Sequence, residues 1–205
     1  MIKTRLVALM VALFAAPLAS ADDAKLQAAI DGEHRTEAWT ARDQYRNPLQ
    51  TLKLFDVQPQ HTVVEVWPGG GWYTEILAPY LKDEGKLIAA HYDSSDKQAS
   101  YRPSGRERFE EKISGNADVY GEVEVTSLMF DEETDTLAIA AAKDNSVDRV
   151  LTFRNAHGMV RTGVARAAFE HFFAILKPGG KLGIVQHMAC LLYTSDAADD
   201  PTLVL

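Results

Sequence analysis

TVVEVWPGGGWYTEIL, residues 62–77, reads as a buried strand, a glycine turn and the first turns of a helix. Val63, Val64 and Val66 are β-branched and favour the pleated, half-buried surface of a strand. Pro68 ends that strand because proline has no N–H to give to a ladder. Gly69, Gly70 and Gly71 let the backbone turn sharply and come close to a ligand with no Cβ in the way. Tyr73, Ile76, Leu77 and Tyr80 then recur at helical spacing. A strand, a glycine loop and a helix start together make a site for a nucleotide-like ligand; the alternative is a glycine-rich connection with no ligand.

Two cofactor classes use this arrangement. A dinucleotide fingerprint needs glycine at its first, third and sixth positions, and counting from Gly69 the sixth position is Thr74. The other class carries an acid inside the strand before a G-x-G turn, and Glu65 followed by Gly69, Gly70 and Gly71 has that form. On these residues the segment resembles the first motif of class I S-adenosylmethionine-dependent methyltransferases. The resemblance implies that Glu65 lies near the methionine amino group and that the glycines pass under the cofactor. Trp67 stands where the family usually has glycine, so it is expected to narrow or reshape the pocket.

The resemblance extends downstream and covers roughly residues 33–187. Residues 85–92, GKLIAAHY, read as the second strand. The family's ribose-binding acid aligns best with His91, and Asp93 follows two residues later, at a spacing from the glycines that suits a ribose acid. Asp93 is therefore assigned to the cofactor; otherwise it only begins the polar loop DSSDKQ. Residues 123–129 give a third strand, and Asp131 follows where the family places an acid near the adenine amino group; the run DEETD equally reads as a solvated turn. Residues 144–157, DNSVDRVLTFRNAH, match the fourth strand, whose end sets Asn155 and His157 for contact with substrate or cofactor. They are the catalytic candidates, His157 as a general base, against the bland reading of a capping or loop histidine. A helix over 163–176, the turn Pro178-Gly179-Gly180 and a fifth strand through Leu182, Ile184 and Val185 complete the likeness. One further helix is expected around residues 106–113.

Upstream, Leu26, Ala29 and Ile30 sit at i, i+3, i+4 and predict a short helix that Gly32 interrupts. Arg35, Arg42 and Arg46 fall at i, i+7, i+11, on one helical face, and Pro48 starts a second helix with Leu49, Leu52 and Phe55 apolar. The plain reading is a solvated arginine face on a lid helix. The sharper one lets Arg42, Asp43, Tyr45 and Arg46 cover the mouth of the ligand site. The run RDQYRNP with PGGGWYTEILAPYL resembles an exported subfamily of methyltransferase-like proteins.

The chain of 205 residues is 46% hydrophobic and 24% charged, enough for one full core, and its net charge of −8 argues against general nucleic-acid or anionic-membrane binding. Residues 1–21 have a basic start at Lys3 and Arg5, an apolar stretch broken by Pro17 and the small-residue site Ala19-Ser20-Ala21. The stretch is too short to span a membrane and reads as a signal peptide, so a periplasmic or otherwise exported protein is expected, with no membrane attachment after cleavage. The single cysteine, Cys190, allows no disulfide within the chain.

The organisation expected is thus a signal peptide over 1–21, an N-terminal helical lid over 22–57, a class I methyltransferase-like domain over 58–189 and a non-native-looking tail over 190–205. The tail, CLLYTSDAADDPTLVL, resembles a translated sequencing-adapter remnant, which would leave the domain truncated and its fifth strand an open edge. The fold expected is a doubly wound, mostly parallel Rossmann-like α/β sheet, incomplete at its C-terminal strands. Three functions follow: a methyltransferase using S-adenosyl-L-methionine on an unidentified small molecule, a non-catalytic binding protein on the same fold, or a metal site from His91, His157 and His187, for which the spacing carries no signature.

Overall fold

The computed structural model describes residues 21–95 and 101–186. Four helices open the described chain: α1 (Ala21–Ile30), α2 (Glu37–Thr40), α3 (Asp43–Arg46) and α4 (Pro48–Leu54). Strand β1 (Thr62–Val66), α5 (Thr74–Leu81) and β2 (Lys86–Tyr92) follow. Next come α6 (Tyr101–Gly115), α7 (Ala117–Tyr120), β3 (Val123–Asp131), β4 (Thr136–Ile139) and β5 (Val147–Phe153). Helices α8 (Ala156–Arg161) and α9 (Ala165–Ile175) and strand β6 (Leu176–Val185) end it.

The strands form one sheet in the order β4-β3-β2-β1-β5-β6. Every pairing is parallel except β3 with β4, which is antiparallel. The order reverses between β1 and β5, so the crevice outside the carboxyl ends of those two strands is where an open α/β sheet binds ligands. The sheet is the Rossmann-like α/β sheet expected. Its hairpin strand β4 was not foreseen: TLAI is short, and the acidic turn before it reads as solvated chain.

Helices cover both faces. Leu26, Ile30, Leu52, Ile76, Leu77 and Phe109 gather on one. Met159, Ala168, Phe172 and Ile175 meet Val64, Ile88 and Val150 on the other. Central strands sandwiched this way must be apolar throughout, as the fully buried Val63, Val64, Ala89 and Ala90 are. The segment over 22–57 is not simply a lid. Leu26, Ala29, Ile30 and Leu52 place α1 and α4 in the core, and only α2 and α3 pass over the crevice.

Three local expectations need correction. Arg35, Arg42 and Arg46 do not share one helix face, because the chain breaks into α2 and α3 around Ala41 and Arg42. Arg35 is not solvated: it is 6% exposed. Pro178-Gly179-Gly180 does not stand outside the strand but forms an irregularity within β6, with the pairing jumping from Val147–Leu176 to Arg149–Lys181 and Gly179 at φ +81°. Glycine carries that left-handed step at no steric cost.

The expectations for the signal peptide, for His187 and for the tail lie outside the described residues. Among the described residues no helix is long and apolar enough to cross a membrane.

Candidate active site at the sheet's switch point

Glu65 sits in the C-terminal half of β1 and is only 1% exposed. The Thr74 hydroxyl, at the start of α5, donates to its Oε2 at 2.6 Å. Burial raises the carboxyl pKa to about 7; the Thr74 hydrogen bond and the more distant Lys112 charge oppose the shift without cancelling it. A carboxylate that is costly to ionise when alone is a ready partner for a cation.

Gly69 and Gly70 form the exposed rim above it. Gly69 has φ +60° and open space where a Cβ would stand, so bare backbone faces the crevice. Gly71 does not belong to this rim. It is buried at φ +87°, and a Cβ there would stand 3.0 Å from the Phe109 ring, so its task is to let α6 pack.

The crevice over Glu65 is a cavity of about 260 Å³, lined also by Trp39, Arg42, Arg46, Tyr73, Phe153 and Asn155. It opens at the switch point, as strand order demands. The sharper sequence expectation, that Arg42, Tyr45 and Arg46 reach the site, agrees with their positions: Arg42 and Arg46 line this cavity, and all three line the one beside it. Asp43 does not join them, since both of its oxygens accept from Arg35 at 2.8 Å.

Trp67 has the reshaping role expected of it. It holds a left-handed backbone, φ +48°, that a residue with a Cβ adopts at a cost of about 1–2 kcal/mol. Asn155 helps hold that geometry, its amide donating to the carbonyls of Val66 (3.0 Å) and Trp67 (3.1 Å) and to the Thr152 hydroxyl. The indole lies 5.3 Å from the Tyr92 ring. Trp67 borders both the Glu65 cavity and a second one of about 350 Å³ that contains Asp93, Leu128 and Phe130. Glu65 and Asp93, both assigned to one cofactor, thus face separate compartments with Trp67 on the boundary.

His91 is fully buried. Its Nδ1 accepts from the Tyr92 amide at 2.8 Å, which leaves Nε2 to carry the proton and donate to the Gly69 carbonyl at 3.1 Å. Burial lowers its pKa and keeps it neutral. It therefore pins the glycine loop, and it also borders a cavity of about 380 Å³ beside Gly69, Gly70 and Arg108.

Asp131 is a correction. Its carboxylate is exposed at the β3–β4 turn, where it accepts from the amides of Glu133 and Thr134, and it lines none of these cavities. A short acid closing an Asx turn needs no ligand. Asp93 similarly accepts from the Ser95 amide and hydroxyl, which lowers its pKa, yet it still faces the second cavity. Asn155 lines the Glu65 cavity, but its amide is spent on the β1 carbonyls; this is a positioning role. His157 lies at the start of α8 with its Nδ1 3.0 Å from Gln186 and lines neither compartment. His91 and His157 both have protein partners, and among the described residues no group of three histidine, cysteine or acidic side chains is placed to hold a metal.

Sequence reasoning passed over Arg154. It follows β5 with φ +67° and borders the Glu65 cavity and its neighbour. Its place directly after the fourth parallel strand of the sheet was the available signal.

No family profile matches the chain, and no curated protein matches it by sequence. Solved structures do. A SAM-dependent methyltransferase from Aquifex aeolicus is 21% identical with a TM-score of 0.53, over 80% of this chain and 72% of that one. Precorrin-6y C5,15-methyltransferase from Geobacter metallireducens GS-15 is 15% identical with a TM-score of 0.44, over 75% and 67%. An arsenic(III) S-adenosylmethionine methyltransferase from Chlamydomonas reinhardtii is 16% identical with a TM-score of 0.45, over 68% of this chain and 44% of that one. This chain thus spans less than half the length of the algal enzyme. The likeness to the Aquifex protein, together with the strand order, makes this a Rossmann-like methyltransferase fold.

Proposed function

We propose that the protein is an S-adenosylmethionine-dependent methyltransferase acting on a small molecule. The observation that carries this reading is Glu65, a carboxylate buried on the floor of a crevice whose rim is the bare backbone of Gly69 and Gly70. The residues fit the amino-acid half of that cofactor. Glu65 suits its α-ammonium, Arg42 and Arg46 suit its carboxylate, and the glycine rim admits close approach. Across the Trp67 boundary, Asp93 is the acid available for ribose hydroxyls. When bound, the cofactor supplies a methyl group activated on a sulfonium. The chain's own work is to orient and to exclude water: His91 pins the glycine loop, Asn155 fixes the end of β1, and the Tyr73 and Phe153 rings, stacked 3.5 Å apart, wall the cavity. Residues 1–21 support export as part of this reading, and N-terminal sequencing of periplasmic material is expected to find a chain starting at Asp22.

Calorimetry with S-adenosylhomocysteine tests the assignment. Binding is expected, weakened about tenfold or more by Glu65→Gln, the scale for losing a charge-assisted partner. One observation favours a second reading, a non-catalytic binding protein. Trp67 borders both compartments, in a backbone conformation that glycine would hold without strain. If the folded protein binds neither S-adenosylhomocysteine nor S-adenosylmethionine while Trp67→Gly binds them, that second reading replaces the first.

A further inference from the structure

Beside the Glu65 crevice lies a larger cavity of about 500 Å³, within the usual range for a small-molecule site. Arg42, Arg46 and Arg154 border it together with Tyr45, Tyr73 and Phe153. In a chain with 29 acidic and 21 basic residues, three arginines meeting in one place are expected to find carboxylates. Among the described residues none of the three has a carboxylate partner. Asp43, the nearest acid in sequence, is taken by Arg35 in a bidentate pair. Arg46 rests on the Trp72 ring at 4.5 Å. Burial, reinforced by the like charges of Arg42 and Arg154, lowers its pKa. Arg154 reaches the cavity from a left-handed backbone, the sort of local strain that clusters at ligand sites.

We propose that this cavity is the acceptor subsite and that it takes an anion: a small molecule bearing a carboxylate or phosphate on a planar, apolar body. The assignment as acceptor rests on reading the Glu65 crevice as the cofactor's. Guanidinium forks match carboxylate and phosphate oxygens two at a time, and the aromatic walls give the rest of such a molecule its contact surface. A cofactor with one carboxylate leaves most of this charge unanswered. Tyr45 and Gln186, moreover, border the larger cavity and not the crevice.

The test is calorimetric titration of the full chain with benzoate, phenyl phosphate, benzyl alcohol and benzylamine, in parallel with S-adenosylhomocysteine. Expected is binding of one or both anions, which distinguishes a carboxylate from a phosphate ligand, and weaker binding of the neutral and cationic probes by about tenfold or more. Affinity for the anion falls with added salt. Arg154→Gln and, separately, Arg42→Gln, each on the exposed rim and checked for an unchanged thermal transition, weaken the anion by about tenfold. Equal binding of benzyl alcohol and the anions, or anion affinity unmoved in both variants, overturns the proposal. Loss of S-adenosylhomocysteine binding alone, with anion binding intact, overturns the cofactor reading and leaves the anion site standing.

Discussion

Arg35 and Arg46 are separated by only ten residues, and both lie over the Trp72 ring, at 5.0 and 4.5 Å. They nevertheless belong to different parts of the molecule. Around Arg35 the neighbouring charges are of opposite sign, although its Nε and the Glu75 Oε2, 3.7 Å apart, make no hydrogen bond. Its guanidinium donates to both Asp43 oxygens and to the Ile30 carbonyl (2.7 Å), and Glu75 stands 3.7 Å away, itself paired with Lys112. Around Arg46 the like charges of Arg42 and Arg154 add to burial in lowering its pKa, against the opposing influence of Tyr73 and Asp43, whose carboxylate is already paired with Arg35. The difference separates structural from functional use of one residue type. A buried charge with partners holds the fold, whereas like charges at a cavity rim without carboxylate partners are what the proposed anion site is built from.

The largest expected effect is on the paired side. Arg35→Ala leaves Asp43 without its partner and Glu75 with Lys112 alone, and should cost about 3–5 kcal/mol in equilibrium denaturation. A loss under about 1 kcal/mol would show that the network does not hold α3 to α5. Next comes Glu65, a buried acid whose protein partner is a hydroxyl. Its folded pKa, about 7, is raised above the ordinary 4.5. Its contribution to stability is therefore fully present below pH 4.5 and is lost as pH rises through 7, by at most about 3 kcal/mol. Denaturation between pH 5 and pH 8 should show this decline, and Glu65→Gln should flatten it. A wild-type profile that rises over that range would contradict the assignment. A ligand ammonium should recover the lost stability at pH 8.

Arg46→Met stands between the two regions. It gives up the contact with Trp72 but relieves repulsion from Arg42 and Arg154, so a change of about 1 kcal/mol or less is expected at low salt. The smallest effect is Arg42→Gln, within about 0.5 kcal/mol, as for surface substitutions away from such features. If it destabilised the fold as Arg35→Ala does, the division between the two arginine regions would collapse.

Much of this was legible in the chain. β1, the glycine turn and α5 follow from β-branched residues, Pro68 and apolar spacing, all local signals. Glu65 was singled out because an acid inside a strand just before the glycine turn resembles the methyltransferase motif, a local signal. The compartment boundary was half legible: Trp67 was expected to reshape the site, but its standing between the cavities of Glu65 and Asp93 was not. Asp131 is engaged by its own turn, accepting from the Glu133 and Thr134 amides, which its place in an acidic run did not reveal. Asn155 lines the Glu65 cavity, though its amide is engaged with carbonyls some ninety residues away in sequence, which no local signal reveals.

The sequence by itself determined the strand–glycine–helix unit, the parallel α/β class and the residues that stand at the carboxyl ends of strands, because periodicity and backbone restriction act over a few neighbours. Only the tertiary structure decided which arginines are structural and which face a cavity. Pairing and burial depend on groups distant in the chain: Glu75 and Asp43 come to Arg35, and Arg154 comes to Arg46, because the sheet brings the ends of β1 and β5 side by side.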